Sequence, residues 1–577
     1  MSNEPADAND PLARPLLAPT PRRRGPRRDH LDPRGARFLD PGTAVTFAGQ
    51  RLQTTAYQGA GLLVRPGHDG RIDPEVLTAL ESAADAEGWA LRVDEVDTTL
   101  VQLARRARIT PEQASPLVVR VALVRREDDT APRAAADAWP VLQRYRAAVD
   151  ASRRGAVQLQ HLLTTAATDA ANGSGMHGSY YVAHAPQPNY YVAHAPQPNY
   201  YVAHGADPAY YVAHPAGSPS SSATAEYAQP GSGGRVPVRW VGPRPGRLPD
   251  AQLGDRRRPV VAVLDTGTGR HPWLDDVVDR APTCSGLRIG LTDPATDFER
   301  RGVVTGALTG SLDIEAGHGT FVVGLVHQRC PDARILSIRV VQPDGVIDEY
   351  DVLSALNMLW VRQSLALAEN RPDDLVDVVS MSLGYYHEDP ADAAFDPLML
   401  APLRALAQLG VMVVVSAGND ATTRPIYPAS FAPYPDGLVT ATPATEVPLV
   451  AVGALNPDGT AALFSNDGPW VRAWRPGASI ISTVPTNFDG GQQASSRVSV
   501  GDGVRSTIDP DNFSSGFATW SGTSFAAPIL AGDLARRLFD SGATPTVLGR
   551  EDQRAGARVE AGWRALRDEV PAIEDPR

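Results

Sequence analysis

No lysine occurs anywhere in the 577 residues, so all 54 basic side chains are arginine. A substitution that complete reads as a bias of composition rather than as a binding site. Acidic residues number 66 and the formal charge is −12, which argues against nucleic-acid binding driven by overall charge. Cysteine is nearly absent too. Cys284 and Cys330 are too few for a disulfide-stapled secreted scaffold, and sequence leaves open whether they form a single bridge. The longest apolar run, near Val411–Val415, is far too short to span a membrane. Arg22–Arg24 and Arg27–Arg28 are not followed by an apolar stretch of signal-peptide length. The chain is therefore expected to be soluble and cytoplasmic, with export by another route as the alternative. P-loop, zinc-helix and EF-hand patterns are missing as well.

What is abundant is proline and glycine, 51 of each, beside an ordinary 42% of hydrophobic residues. Folded parts must alternate with linkers, and at about 100–200 residues per domain the length allows two to four of them. Residues 1–43 mix Pro, Arg and Asp without a hydrophobic period and read as a disordered tail. From 44 to 165 the pattern becomes that of a small α/β or α+β domain. Strands are predicted at Gly61–Val64, Trp89–Val93 and Leu117–Val124, a helix from Asp73 through Ala84, and a helix-period segment from about Ala134 to Leu163.

Residues 166–235 form a Pro/Gly/Ser-rich linker in which Tyr-Tyr-Val-Ala-His recurs four times, starting at Tyr180, Tyr190, Tyr200 and Tyr210. A ten-residue period with Pro in the spacers suits an extended, largely disordered tether better than a helix or a solenoid.

From 236 to 545 the chain is globular. Apolar runs at Val260–Leu264, Ala333–Val341, Val376–Leu383, Val411–Ser416 and Leu449–Ala454 alternate with helical segments, which predicts a mainly parallel sheet covered on both faces. Residues 546–577 read as a C-terminal helical tail.

Three motifs carry chemistry in this half. Asp265 closes the first apolar run, at the strand end where sites of open α/β sheets form. His318 stands between Gly317 and Gly319 at the start of an apolar helix, where it either faces a cleft or caps the helix. Ser524 sits in Ser521–Ala527, a run of small residues entering a second apolar helix, whose N-terminal N–H groups suit a developing oxyanion.

Together these motifs, in the order Asp, His, Ser, resemble the subtilisin-like serine peptidase family. Met381–Gly384, Ser416–Asn419 and Pro476–Thr483 add to the likeness, which runs from about 258 to 542. The resemblance implies a three-layer α/β fold and a serine endopeptidase acting on polypeptides. In it Ser524 would be nucleophile, His318 the general base and acid, Asp265 its orienting partner, and Asn419 the oxyanion donor. It further implies that Ser382, Leu383 and Gly384 bind the substrate backbone, and that Ser416, Ala417 and Gly418 line the pocket before the cut. Asp420 stands where relatives often carry a polar or acidic residue, which raises a preference for basic side chains. Phe321 departs from a histidine common in relatives, and the stretch from about Asn487 to Ser515 is longer than usual.

Many relatives bind structural calcium, and the resemblance leaves that open here, but no ligand set is assignable from the sequence; no cofactor is expected. No nucleic-acid or membrane partner is expected either. The N-terminal domain is expected to act within the molecule, as an inhibitory pro-segment or as a recruiting domain. The reading from a different class is a non-catalytic scaffold in which that domain and the repeats bind partners.

Overall fold

The computed structural model describes residues 35–44, 46, 52–67, 70–94, 98–109, 117–126, 134–165, 191–192, 201–204, 210–213, 234–389 and 398–571. Most of the expected N-terminal tail and of the linker lies outside these residues.

Five of the seven strands of the central sheet arise from the five β-branched apolar runs. In spatial order the strands are Val278–Asp279, Arg334–Arg339, Val260–Asp265, Val378–Met381, Met412–Ser416, Val450–Leu455 and Val471–Pro476. All their pairings are parallel. Every residue of Val260–Asp265 is buried, as required where layers cover both faces. Val260–Asp265 has the later strands Arg334–Arg339 and Val378–Met381 on either side, so Asp265 ends a strand beside the point where strand order reverses. The helices His318–Arg329 and Thr523–Asp540 pack against one another and against this sheet, and each presents its N-terminus near Asp265.

The buried carboxylate of Asp377, just before the strand Val378–Met381, ties distant parts together. Arg257 grips both its oxygens at 2.7 Å, and Arg558 of the C-terminal helix Arg554–Glu569 reaches Oδ1 at 3.0 Å. Burial alone would raise its pKa, but the two guanidinium groups outweigh that and hold it at about 2. The folded pKa lies below the unfolded one, so this stability is present above about pH 4 and is lost as pH falls toward 2. Asp377→Ala strands the cations in the interior and should cost about 3–5 kcal/mol. Urea unfolding of the Ser524→Ala protein with and without that change measures it, and an unchanged midpoint would refute the tie.

The N-terminal domain is α+β. Antiparallel strands Ala90–Val93, Val119–Val124, Ala56–Val64 and Val157–Thr165 form its sheet in that order, with Ala36–Phe38 paired to Ala56–Val64. Helices Pro74–Ala86 and Ala138–Ala148 begin at Asp73 and Asp137, whose carboxylates accept the N–H of Glu75 and Trp139. Their apolar faces, including Leu80 and Leu142, bury against Leu62, Val64 and Leu159. The helix-period segment expected over 134–163 is thus a shorter helix followed by a strand. Pairing on both sides, with Ala56–Val64 and with segments of the C-terminal domain, overrides a local pattern that fitted a helix.

Three repeat copies also depart from a wholly extended tether: Tyr191–Val192, Tyr201–His204 and Tyr210–Ala213 pair antiparallel. Tyr and Val favour strands, and the prolines between copies keep them short. Cys284 and Cys330 are both free and buried. Among the described residues no helix is long and apolar enough to cross a membrane.

Candidate active site

Asp265, His318 and Ser524, far apart in sequence, converge above the end of the central strand. Asp265 Oδ1 lies 2.7 Å from His318 Nδ1, with both side chains buried. Burial alone would push the imidazole's pKa down, but the Asp265 charge and hydrogen bond more than offset this and hold it above the ordinary histidine value. The ring sits against Trp520 and Phe525, at centroid distances of 5.6 and 5.3 Å, the residues that bracket the Ser524 turn. His318 Nε2 and Ser524 Oγ are both buried without a hydrogen-bond partner.

Gly319 permits this approach. A Cβ there would lie 2.1 Å from the carbonyl oxygen of Gly267, so any side chain would drive the histidine helix away from the aspartate strand.

A buried glutamate that sequence reasoning did not single out holds the two motifs in register. Glu299 Oε1 accepts Thr266 Oγ1 at 2.5 Å and the N–H of Gly317 at 3.0 Å, while Oε2 accepts Thr320 Oγ1 at 2.5 Å. Thr266 Oγ1 in turn accepts the N–H of Gly319 at 2.7 Å. Burial pushes the Glu299 carboxyl up to about 7, the threonine hydrogen bonds opposing and the Asp265 charge adding to it. Thr266 and Thr320 were visible inside the motifs; Glu299 stands in a segment without one.

Asn419 follows the strand Met412–Ser416. Its Oδ1 accepts both the N–H and the hydroxyl of Thr523 at 2.9 Å, which turns Nδ2 away from Thr523. The N–H of Gly418 reaches Thr523 Oγ1 at 3.1 Å, so Ser416, Ala417 and Gly418 run beside the start of the serine helix. Ser382 Oγ donates to the Ser524 carbonyl at 2.9 Å, bringing Ser382–Leu383–Gly384 alongside as well. All ten residues singled out from sequence therefore gather in one region. Asp420, beside them, accepts the Tyr386 hydroxyl at 2.6 Å, and Arg424 lies over the Tyr386 ring, so its carboxylate serves a local network.

The N-terminal domain enters this cleft. Its last strand, Val157–Thr165, runs antiparallel to two segments of the C-terminal domain at once: Thr164 pairs with Gly384 and Val346, Thr165 with Leu383, and Leu163 with Ile347. Just upstream His161 is fully buried between two glutamates of the C-terminal domain. Its Nδ1 lies 2.9 Å from Glu349 Oε2 and its Nε2 2.9 Å from Glu388 Oε2, with the Tyr385 ring stacked at 4.5 Å. Burial disfavours its charge, yet the two carboxylates outweigh that and raise its pKa to about 9, so both ring nitrogens donate. Gln158 Nε2 adds a bond of 2.9 Å to Glu349 Oε1. Nothing in the sequence marked this set, whose members come from three separate segments.

The sequence profile of the subtilase family, peptidase S8, matches residues 256–545. The serine protease AprX of Bacillus subtilis is 30% identical over 292 residues, covering 47% of this chain and 55% of its own length. An intracellular serine protease of Paenibacillus polymyxa is 29% identical over 281 residues, 48% of this chain and 65% of its own. The chain thus spans little more than half to under two thirds of these relatives. Among solved structures, fervidolysin from Fervidobacterium pennivorans, titled a keratinolytic enzyme related to subtilisin, aligns with 86% of this chain and 56% of its own at 17% identity and a TM-score of 0.39.

Proposed function

The chain belongs to the subtilase family, and from that premise we propose that it is a serine endopeptidase held latent by its own N-terminal domain. One observation carries the catalytic reading: the 2.7 Å Asp265–His318 contact lies beside two buried atoms, His318 Nε2 and Ser524 Oγ, that have no hydrogen-bond partner. A binding scaffold has no use for such atoms, since an unpaired buried polar group costs about 1–3 kcal/mol.

In the reaction Ser524 Oγ attacks the scissile carbonyl as His318 Nε2 takes its proton, and Asp265 holds the ring and stabilises the imidazolium. The carbonyl oxygen becomes an oxyanion held by Asn419 Nδ2 and the Ser524 N–H. His318 then returns the proton to the leaving amine as the C–N bond breaks, and water releases the acyl group by the same steps. Glu299 fixes the relative position of the aspartate and histidine segments without touching substrate.

Latency rests on the strand Val157–Thr165. A substrate bound in extended form needs the backbone groups of Leu383 and Gly384 and the facing strand Val346–Asp348, and Thr164 and Thr165 already use them. A domain that only recruited substrate would leave that strand free.

Asn419→Ala tests the catalytic reading on a residue that is not the nucleophile. Hydrolysis of an unfolded polypeptide by the Asn419→Ala enzyme is expected to show kcat lowered about 10²–10³-fold with KM little changed. An unchanged kcat would remove Asn419 from the oxyanion site.

A further inference from the structure

The extension between Asn487 and Ser515 leaves the body of the peptidase domain and returns directly before the strand Phe517–Trp520 that leads to Ser524. Its middle is an exposed hairpin, Arg497–Val500 paired with Gly503–Ser506. The two ends meet at its base, where the N–H of Phe513 bonds the carbonyl of Phe488 at 2.8 Å and Asp489 bridges to Asn512.

Three carboxylates crowd that base. Asp489, Asp509 and Asp511 each bring an oxygen within 4.8 Å of the others. Among the described residues no arginine or histidine forms an ion pair with any of them. Asp511 is 2% exposed; its Oδ2 accepts the N–H of Gln492 at 2.9 Å, while Oδ1 is buried with no partner. Burial, and then the neighbouring Asp509 and Asp489 carboxylates, push the Asp511 carboxyl above its usual value. Gly490 keeps the cradle tight: a Cβ there would lie 2.1 Å from Asp511 Oδ2.

We propose that Asp489, Asp509 and Asp511 bind one calcium ion that closes the base of this extension. Calcium takes oxygen ligands at about 2.3–2.6 Å, so oxygens within roughly 5 Å of one another can share a single ion, and the unpartnered Asp511 Oδ1 supplies the innermost of them. An all-carboxylate set whose outermost member, Asp489, is exposed to water suits calcium better than magnesium, which demands a near-ideal octahedron. The consequence reaches the active site, because Phe488, adjacent to Asp489, packs under Gly317 at the start of the histidine helix, and the chain beyond Asp511 runs to Ser524. The ion therefore braces both the base and the nucleophile.

The test uses the full chain carrying Ser524→Ala, so that self-digestion does not interfere, and compares it with the same chain carrying Asp489→Asn, Asp509→Asn and Asp511→Asn. Calorimetric titration with calcium chloride should show one calcium fewer per chain in the triple variant, and Asp511→Asn alone should weaken that site at least tenfold. Calcium should raise the unfolding temperature of the parent and slow cleavage between 492 and 508 by added protease at least tenfold, and the triple variant should lose both effects. In chelator the order reverses: the triple variant should unfold no lower than the parent, since its substitutions remove only repulsion. Equal calcium stoichiometry in the two proteins would overturn the proposal, as would a magnesium affinity equal to that for calcium.

Discussion

Ser524→Ala should abolish hydrolysis, with a fall in kcat of about 10⁶-fold, the scale set by serine peptidases whose triads have been taken apart. The size follows from what remains. Without the hydroxyl no covalent intermediate forms, and only the oxyanion donors and substrate alignment still act, worth about 10³–10⁴ over water. Asp265→Asn should leave the serine in place yet lower kcat about 10⁴-fold, because an amide beside Nδ1 stabilises the wrong tautomer. The two changes combined should cost little more than Ser524→Ala alone, since the residues act as one unit. Steady-state rates on an unfolded polypeptide, with active sites counted by titration, measure all three. Substantial activity in the Ser524→Ala enzyme would mean that another group is the nucleophile.

His161→Ala should release the peptidase domain from its own N-terminal domain. His161 is wholly buried and donates to Glu349 and Glu388 from the far side of the domain boundary, so its removal takes a cation from between two buried carboxylates, leaving Glu349 to Gln158 and Glu388 to His387 and Arg146. Breaking a buried ionic contact from one side costs about 3–5 kcal/mol, which moves the open fraction by on the order of 10²–10³-fold. Initial rates on a tetrapeptide substrate should rise accordingly in the intact His161→Ala chain. His161→Gln, which keeps one donor, should fall between the two.

On the proposed reading, the same contact should make latency depend on pH. The docked pKa of about 9 lies above the ordinary 6.5, so this stabilisation is complete below about pH 6.5 and is lost as pH rises through 9, a span worth about 3 kcal/mol. Glu388 sets the opposite limit. Burial would raise its pKa, but His387 and His161 hold it well below the usual carboxylate range, so docking fails again only in strong acid. An intact His161→Ala chain no more active than the parent at pH 7 would remove the latch.

The central sheet was legible because its strands are buried on both faces. Continuous β-branched runs such as Val260–Leu264 cannot be mistaken for exposed strands, and the five runs read from sequence are five of the seven strands observed. The site was legible because its residues lie inside motifs whose glycines and small residues have steric causes, as Gly319 does against Gly267.

The strand Val157–Thr165 was not. Its Gln, His and Leu residues fit either period, and its conformation is decided by partners far along the chain, Ala56–Val64 on one side and, on the other, Val346 against Thr164. The role of His161 was hidden for the same reason, because neither Glu349 nor Glu388 carries any local sign of facing it. Glu299 and the Asp489–Asp509–Asp511 set show the same limit: these carboxylates carry no local sign and are brought to their partners only by chain topology.

Labelling by a peptidyl phosphonate with four residues upstream of its reactive phosphorus, followed by mass mapping of the adduct, tests nucleophile and latch together. The intact parent chain at pH 7 should label slowly and only on Ser524, while the intact His161→Ala chain should label on Ser524 at least a hundredfold faster. Labelling at a different residue, or equal rates in the two chains, would contradict the account.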